Sequence, residues 1–466
     1  MLITRRHIDI SLPNENIKLR PDLAKQVVAE ARRLQSSFPA DFLLSSSSRR
    51  AVKVNGHSVY FPYLSALFSR FLNEETALVF SIKNPFMFEK FIKEAVSCLP
   101  NEKIKLLLKY GIKTVQSTTT DIKLDGGSFS EVTLFLYKNK RWRIKKETNS
   151  NYNGDIDAGV RLREEAYFLT SLPKEARHLF PKVYGENSVS KSSRIGYEME
   201  YFPYPTFAQL LFCGNLTAGM ALRLLINIYG SLEKTLYSHK SHIKRDDDYF
   251  SRIDRRLERV FRTPSNSGTN LKKILNRTKI TIGGFECEGF FPIYEKLRND
   301  KSCRQLLTFP DYSLCHGDMI LEDILINPLD GDFKLIDPNG QSFSKYYDFA
   351  KTFLSLSTYY EHFYFDLFDL NYKTDGNIDI RFFDDRAIAV YDNLSGLFWH
   401  YLREYSEFYF ANDKLWRRRI LFLTALQNIA IVMFHLIKHN NENRAIGFLL
   451  TGIKKLNEFY YEQKTK

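Results

Sequence analysis

Cysteine, glycine and proline are all sparse in this chain: 5, 22 and 15 of 466 residues. Cys98, Cys213, Cys287, Cys303 and Cys315 are scattered, odd in number and without a C-x-x-C pair, which excludes a disulfide scaffold and a zinc knuckle. Free thiols in a reducing, cytoplasmic setting are expected. Few turn-formers together with 15% aromatic residues exclude a disordered or low-complexity chain. No period of solenoid length recurs. No helix-turn-helix, zinc-finger or RNA-binding signature is present, so no nucleic-acid partner is expected. The opening stretch MLITRRHIDISLPNENIKLRP lacks the apolar core of a signal peptide. Only Ile420–Ile437 approaches membrane-spanning length. It is interrupted by Gln427, Asn428 and His435, so a buried helix is expected and no transmembrane segment.

What is present is a hydrophobic fraction of 44%, enough for full cores in two or three domains, and a formal charge of +13. Such a charge suits an acidic ligand such as a nucleotide or a phosphorylated sugar, and is compatible with contact at an anionic membrane surface. Lysine- and phenylalanine-rich composition also follows from an AT-rich genome, and that origin carries the larger weight. Residues 1–115 contain a good helix pattern at PDLAKQVVAEARRLQ and a serine-rich linker, but no catalytic constellation; His57 has no carboxylate partner at metal-ligand spacing. They are expected to form an extension of unknown role, either α/β or helical.

The most informative segment is HGDMILEDILINPLDGDFKLIDPNG. Its loop offers Asp318 as a base and Asp323 as a metal ligand. Ile324 to Ile326 then reads as a buried strand, a turn over Pro328–Asp332 reverses the chain, and Phe333 to Ile336 returns to deliver Asp337 beside the loop. Carboxylates gathered by one hairpin repel each other and lose hydration, a cost that a divalent cation removes. Phosphoryl transfer needs these parts: magnesium against the phosphates and a carboxylate to orient and deprotonate the attacking hydroxyl.

Upstream, Ile122–Leu124, Val132–Tyr137 and Trp142–Lys146 read as three strands, with Gly126, Gly127 and Ser128 in a turn able to wrap phosphates with free amides. Period-two alternation puts Trp142, Ile144 and Lys146 on one face, and that face is expected to cover the nucleotide. Lys146 is then the phosphate-binding lysine, with Lys145 as the alternative if a bulge shifts the register. An amphipathic helix carrying Leu162, Tyr167, Leu169 and Leu172 ends before Pro173. YEMEYFPYPTFAQLL then reads as a strand, a crossing segment and a helix, with backbone groups around Glu200, Tyr201 and Phe202 facing a base. Tyr229–Asp300 reads as a charged helical stretch. Within it, Asp246–Asp248 is a solvated helix start and TPSNSGTN a loop. Residues 358–466 read as almost entirely helical.

His316, Gly317, Asp318 and Asp337 stand where the aminoglycoside phosphotransferase/choline kinase-like family has its H-G-D loop and I-D-x metal turn, and at these residues the chain resembles that family. The family's Asn position holds Asp323, whose oxygen can also bind magnesium, at the cost of an added negative charge. Ile336-Asp337-Pro338-Asn339-Gly340, followed by Asp348, Ala350 and Lys351, is similar to the branch associated with bacterial surface-polysaccharide loci. The resemblance covers about residues 120–460. It implies an α+β, two-lobed protein-kinase-like fold: a small antiparallel-sheet lobe at 116–200 and a large, mostly helical lobe at 201–466, after the 1–115 extension. It also implies a glutamate paired with the strand lysine, Glu165 or its neighbour Glu164, and Asp348 bracing the catalytic loop.

The combined expectation is an ATP- and magnesium-dependent phosphotransferase. It would move the γ-phosphate to a hydroxyl of a small molecule, a sugar or amino alcohol linked to surface-glycan metabolism. Asp318 and His316 are the catalytic-loop residues, with His316 shaping the loop rather than transferring protons. Gly126, Gly127, Ser128, Lys146, Glu165, Glu200 and Tyr201 are the nucleotide-binding residues, and Asp323 and Asp337 the metal ligands. The alternative is a pseudokinase acting as a binding or scaffold protein. A protein kinase acting in trans is disfavoured, because Asp337-Pro338-Asn339 stands where D-F-G would fall and no A-P-E segment follows.

Overall fold

The computed structural model describes residues 16–17, 51–54, 57–60, 122–124, 130–137, 142–148, 158–187, 195–202, 204–212, 216–240, 249–263, 268–327, 331–339, 344–383, 385–411 and 413–462. Gly126–Ser128, Asp246–Asp248, the 264–267 part of the TPSNSGTN loop, the tip of the hairpin at 328–330 and nearly all of 1–115 lie outside them. The chain divides into two compact units, 1–215 with 322–340, and 216–321 with 341–466. The first carries antiparallel sheet and the second is mostly helical, so the expected α+β class is the observed one.

In the first unit a five-stranded antiparallel sheet runs in the order Ile122–Leu124, Ser130–Leu136, Trp142–Thr148, Gly196–Glu200, Val183–Asn187. Cross-strand partners Val132↔Lys146↔Tyr197 and Leu134↔Ile144↔Met199 point to one face, because directly opposed residues share a side of the pleat. All six are buried. Helix Ala158–Ser171 packs there through Leu162, Glu165, Ala166 and Leu169, an i, i+3, i+4, i+7 set. Tyr167 is 71% exposed and not part of that set; five residues beyond Leu162, it falls on the far side of the helix. Helix Phe207–Phe212 and the hairpin Ile324–Ile326/Phe333–Leu335 belong to the same unit. They are joined where the Ile326 amide donates to the Pro205 carbonyl at 2.8 Å.

The second unit is built on helices Ala218–Thr235, Tyr249–Phe261, Tyr346–Thr358, Asp385–Glu404, Trp416–Met433 and Glu442–Glu462. The sequence expectation of near-continuous helix is corrected in two places. Lys279–Ile282 and Phe285–Glu288 form a hairpin, as do Phe368–Tyr372 and Ile378–Phe382, and the two join into one four-stranded sheet. Their turns are Gly283-Gly284 and Asp375-Gly376, with φ of +57°, +81° and, at Gly376, +84°. Such residues suit tight hairpins, and that signal outweighs the charged composition around it. Trp416–Lys438, ending in a π-helical turn, is the one helix among the described residues long and apolar enough to cross a membrane, and 78% of its apolar window is buried. Gln427, Asn428 and His435 are buried in it, His435 stacked on Phe448.

Close helix approach in this unit depends on Gly447, where an added Cβ would stand 2.5 Å from the Phe363 ring. Gly447→Ala is therefore expected to lower stability by ~1–3 kcal/mol through overpacking, read as a shifted midpoint in urea unfolding.

Candidate functional site

The first unit buries a lysine. Lys146 is 1% exposed, and its ammonium donates to the Glu165 carboxylate and, at 2.7 Å, to Asp337 Oδ1. Strand alternation turns Lys146 inward while Lys145 faces the other way, where it pairs with Glu147 at 2.9 Å. Helical spacing from Leu162 likewise selects Glu165, which is buried, over the more exposed Glu164. Burial raises the Glu165 carboxyl above its ordinary range, Lys146 opposes that shift, and Asp337 adds to it.

Asp337 reaches Lys146 because of the hairpin before it. Ile324 pairs with Leu335, and the Ile336 amide donates to the Asp323 carbonyl at 3.0 Å, which brings the backbones of Asp323 and Asp337 to one end of the ladder. The backbone at Asp337 is left-handed, with φ of +59°, a conformation uncommon outside glycine that aspartate adopts more readily than most residues. One fixing contact lies two residues on: Arg161 donates to the Asn339 side-chain oxygen at 2.7 Å. Arg161 and Glu165 are one helical turn apart, so a single helix meets the 337–339 turn directly through Arg161 and indirectly, by way of Lys146, through Glu165. Asp323 is fully buried. Beside it, buried Glu322 accepts from the Thr206 hydroxyl at 3.2 Å. Thr206 and Gln209 exchange hydrogen bonds at the start of helix Phe207–Phe212, a capping box readable in the sequence as T-F-A-Q. Glu200 ends its strand with its amide bonded to the Lys182 carbonyl at 2.8 Å, and Tyr201 follows it half-exposed.

The donor set fits a magnesium ion. Around Lys146 two carboxylates, Glu165 and Asp337, face one ammonium. Among the described residues no three His, Cys, Asp or Glu side chains gather into a complete metal cage. Asp323 and Asp337, whose backbones meet at the end of the hairpin, would offer magnesium two carboxylates if water and phosphate oxygens filled its other positions.

The second unit holds the loop 316–321, which hangs from one face of helix Tyr346–Thr358. Asp348 accepts from the amides of His316, at 2.9 Å, and Gly317, at 2.6 Å, and from the Tyr237 hydroxyl at 2.8 Å. Gly317 has a φ of +78°, which this close approach requires. Thr352 donates to the Met319 carbonyl at 2.8 Å, and the Leu321 amide donates to the Ser355 hydroxyl at 3.1 Å. Positions 348, 352 and 355 are i, i+4 and i+7, so one helical stripe grips the loop along its length. Ser355 in turn donates to buried Glu361 at 2.6 Å. His316 is buried and its Nδ1 accepts from the Asp318 amide at 3.2 Å, which places the ring as a shape-setting element of the loop. Asp318 remains 32% exposed in its side chain and pairs with Lys351 at 3.0 Å. Thr352, Ser355, Glu361, Thr206, Glu322 and Arg161 carry no sequence expectation as parts of a site, and Lys351 enters there only as a motif match. The signal for three of them was the polar stripe in YYDFAKTFLSLS.

No family model and no curated protein matches the chain. Solved structures similar to it include a choline kinase from Cryptosporidium parvum Iowa II, at 12% identity and a TM-score of 0.40 over 81% of this chain and 96% of that one. The choline kinase LicA from Streptococcus pneumoniae shows 15% identity and a TM-score of 0.41 over 79% and 99%. The ADP-bound aminoglycoside phosphotransferase APH(2'')-Ib shows 14% and 0.40 over 78% and 99%. Overlap at these scores is loose, and the chemistry of the site is decided by this chain's own side chains.

Burial pushes the Glu361 carboxyl up to about 7, against hydrogen bonds from Ser355 and Tyr391 that lower it. A carboxyl raised in the folded state is protonated there before it is protonated in the unfolded chain. Its stabilising contribution is therefore present below the ordinary glutamate range and is lost as pH rises through about 7. Glu361→Gln stays neutral throughout. The stability advantage of the parent over this variant, from urea unfolding, is expected to be larger at low pH than above pH 7 and to shrink as pH rises through that value.

Proposed function

We propose that this chain is a phosphotransferase that uses ATP with magnesium to phosphorylate a hydroxyl group of a small molecule. The observation that carries this proposal is the buried Lys146, shared between Glu165 and Asp337. A lysine held rigid and dry between two carboxylates suits one task well, anchoring the phosphates of a nucleotide, because a surface lysine would need no such frame. Lys146 holds the phosphates, Glu165 fixes Lys146, and Asp337 and Asp323 hold the metal. Magnesium, when bound, neutralises the phosphate charge. Gly126, Gly127 and Ser128 cover the phosphates, and the backbone at Glu200 and Tyr201 meets the base.

Asp318 orients the acceptor hydroxyl and takes its proton, and His316 keeps the loop in shape for it. The partly exposed Asp318 side chain on an otherwise buried loop is consistent with this role. Most of the catalysis then comes from positioning and charge stabilisation. The acceptor class that fits best is a sugar or amino alcohol. The similarity of Ile336–Gly340 and of Asp348, Ala350 and Lys351 to the polysaccharide-associated branch favours a precursor of a surface glycan, in a cytoplasmic setting.

Asp318→Asn is expected to lower phosphorylation of a responsive sugar or amino alcohol by ~10²–10⁴-fold while nucleotide affinity is kept. Asp337→Asn is expected to abolish the magnesium-dependent part of ATP binding. ADP release across an acceptor panel, with calorimetric titration of each variant, reads both effects. An Asp337→Asn protein that binds magnesium-ATP like the parent would remove Asp337 from the metal site.

A further inference from the structure

Four side chains of helix Tyr346–Thr358 reach the loop 316–321, and one of them differs from the rest. Asp348, Thr352 and Ser355 are fully buried and bond to loop backbone. Lys351 instead forms an ion pair with a side chain, at 3.0 Å from Asp318 Oδ1; that oxygen is shielded, while the two side chains as a whole keep 17% and 32% of their exposure. A brace for the loop needs no such opening, since three buried neighbours already hold the backbone. An ammonium beside a partly exposed carboxylate is placed where a substrate could meet both.

We infer that Lys351 is a phosphoryl-contacting residue: it binds the equatorial oxygens of the phosphoryl group as that group passes to a hydroxyl held at Asp318. The inference rests on the phosphotransferase proposed above. In the step, the bond from the terminal phosphorus to the bridging oxygen of the nucleoside triphosphate breaks, and its electron pair stays with the diphosphate. The acceptor oxygen bonds to phosphorus, and its proton passes to Asp318. Negative charge on the phosphoryl oxygens needs a cation close to the acceptor oxygen. Lys351, in an ion pair with Asp318, would supply it, through a contact that forms only as the phosphoryl arrives. In the free protein the same ammonium holds the Asp318 carboxylate in place.

Such a residue acts on the rate and not on nucleotide affinity, which separates it from a structural lysine. The test compares the full-length parent with Lys351→Met and Lys351→Arg, using water as the acceptor so that no acceptor need be known. Magnesium-ATP hydrolysis, magnesium-ATP affinity and the tightening of magnesium-ADP binding by aluminium fluoride are measured on each. Lys351→Met is expected to lose hydrolysis by ~10²-fold and most of the fluoride-induced tightening, with ATP affinity and melting temperature close to the parent. Lys351→Arg, which keeps the charge, should recover much of both. If Lys351→Met hydrolyses ATP and responds to aluminium fluoride like the parent, the contact does not exist. If Lys351→Arg fails as badly as Lys351→Met and both melt early, Lys351 is structural and the inference falls. A parent that binds no magnesium-ATP overturns the phosphotransferase proposal itself, and this inference with it.

Discussion

A lysine ammonium sealed from water must be matched by negative charge, and Lys146 is matched twice, by Glu165 and by Asp337. Each member comes from a different stretch of sequence: Lys146 from a strand, Glu165 from the helix after it, Asp337 from a turn 191 residues beyond Lys146. Removing one member of a buried ionic set typically costs ~3–5 kcal/mol, because the remaining charges stay desolvated and unmatched. The arrangement is thus a poor way to gain stability and a good way to fix geometry. It sets the register of the central strand against helix Ala158–Ser171 and holds Asp337 in a left-handed conformation. Burial raises the Glu165 carboxyl and the Asp337 charge adds to the rise, and that added repulsion is what a bound cation would relieve.

The second unit solves a different problem. The loop 316–321 has few regular hydrogen bonds, so its backbone groups must find partners elsewhere. Helix Tyr346–Thr358 provides them from a polar stripe set into an otherwise apolar surface, with Asp348 serving two amides and a tyrosine hydroxyl at once. Burial pushes the Asp348 carboxyl up to about 7 against the pull of those three donors, and the charge of nearby Asp318 adds to the rise. Behind it, Glu361 supports Ser355 in the same way. The loop is rigid because of what lies beneath it. The one side chain it presents outward with a charged partner is Asp318.

Local patterns in the sequence made much of this legible. Period-two alternation put Lys146 on one face, the family resemblance pointed to Glu165 or Glu164, and the strand–turn–strand pattern around 324–336 placed Asp337 beside the loop. What stayed hidden depends on contacts between distant segments. Nothing local says that Arg161 will meet Asn339, that Thr206 will meet Glu322, or that Lys351 will meet Asp318. The two hairpins of the second unit escaped notice for another reason. Gly-Gly and Asp-Gly turns announced them, but charged flanking residues suggested helix. Tyr167 shows the limit of apolarity as a guide, since an aromatic residue one position off the packed face ends in solvent.

The central claim is that Lys146, Glu165, Asp323 and Asp337 form a working magnesium-nucleotide site. Calorimetric titration of the full chain with ATP, in the presence and absence of magnesium, tests it most directly. Saturable binding that requires magnesium is the predicted result. Binding indifferent to magnesium, or no binding under either condition, would contradict the account and leave the buried lysine as a structural fixture of a binding protein.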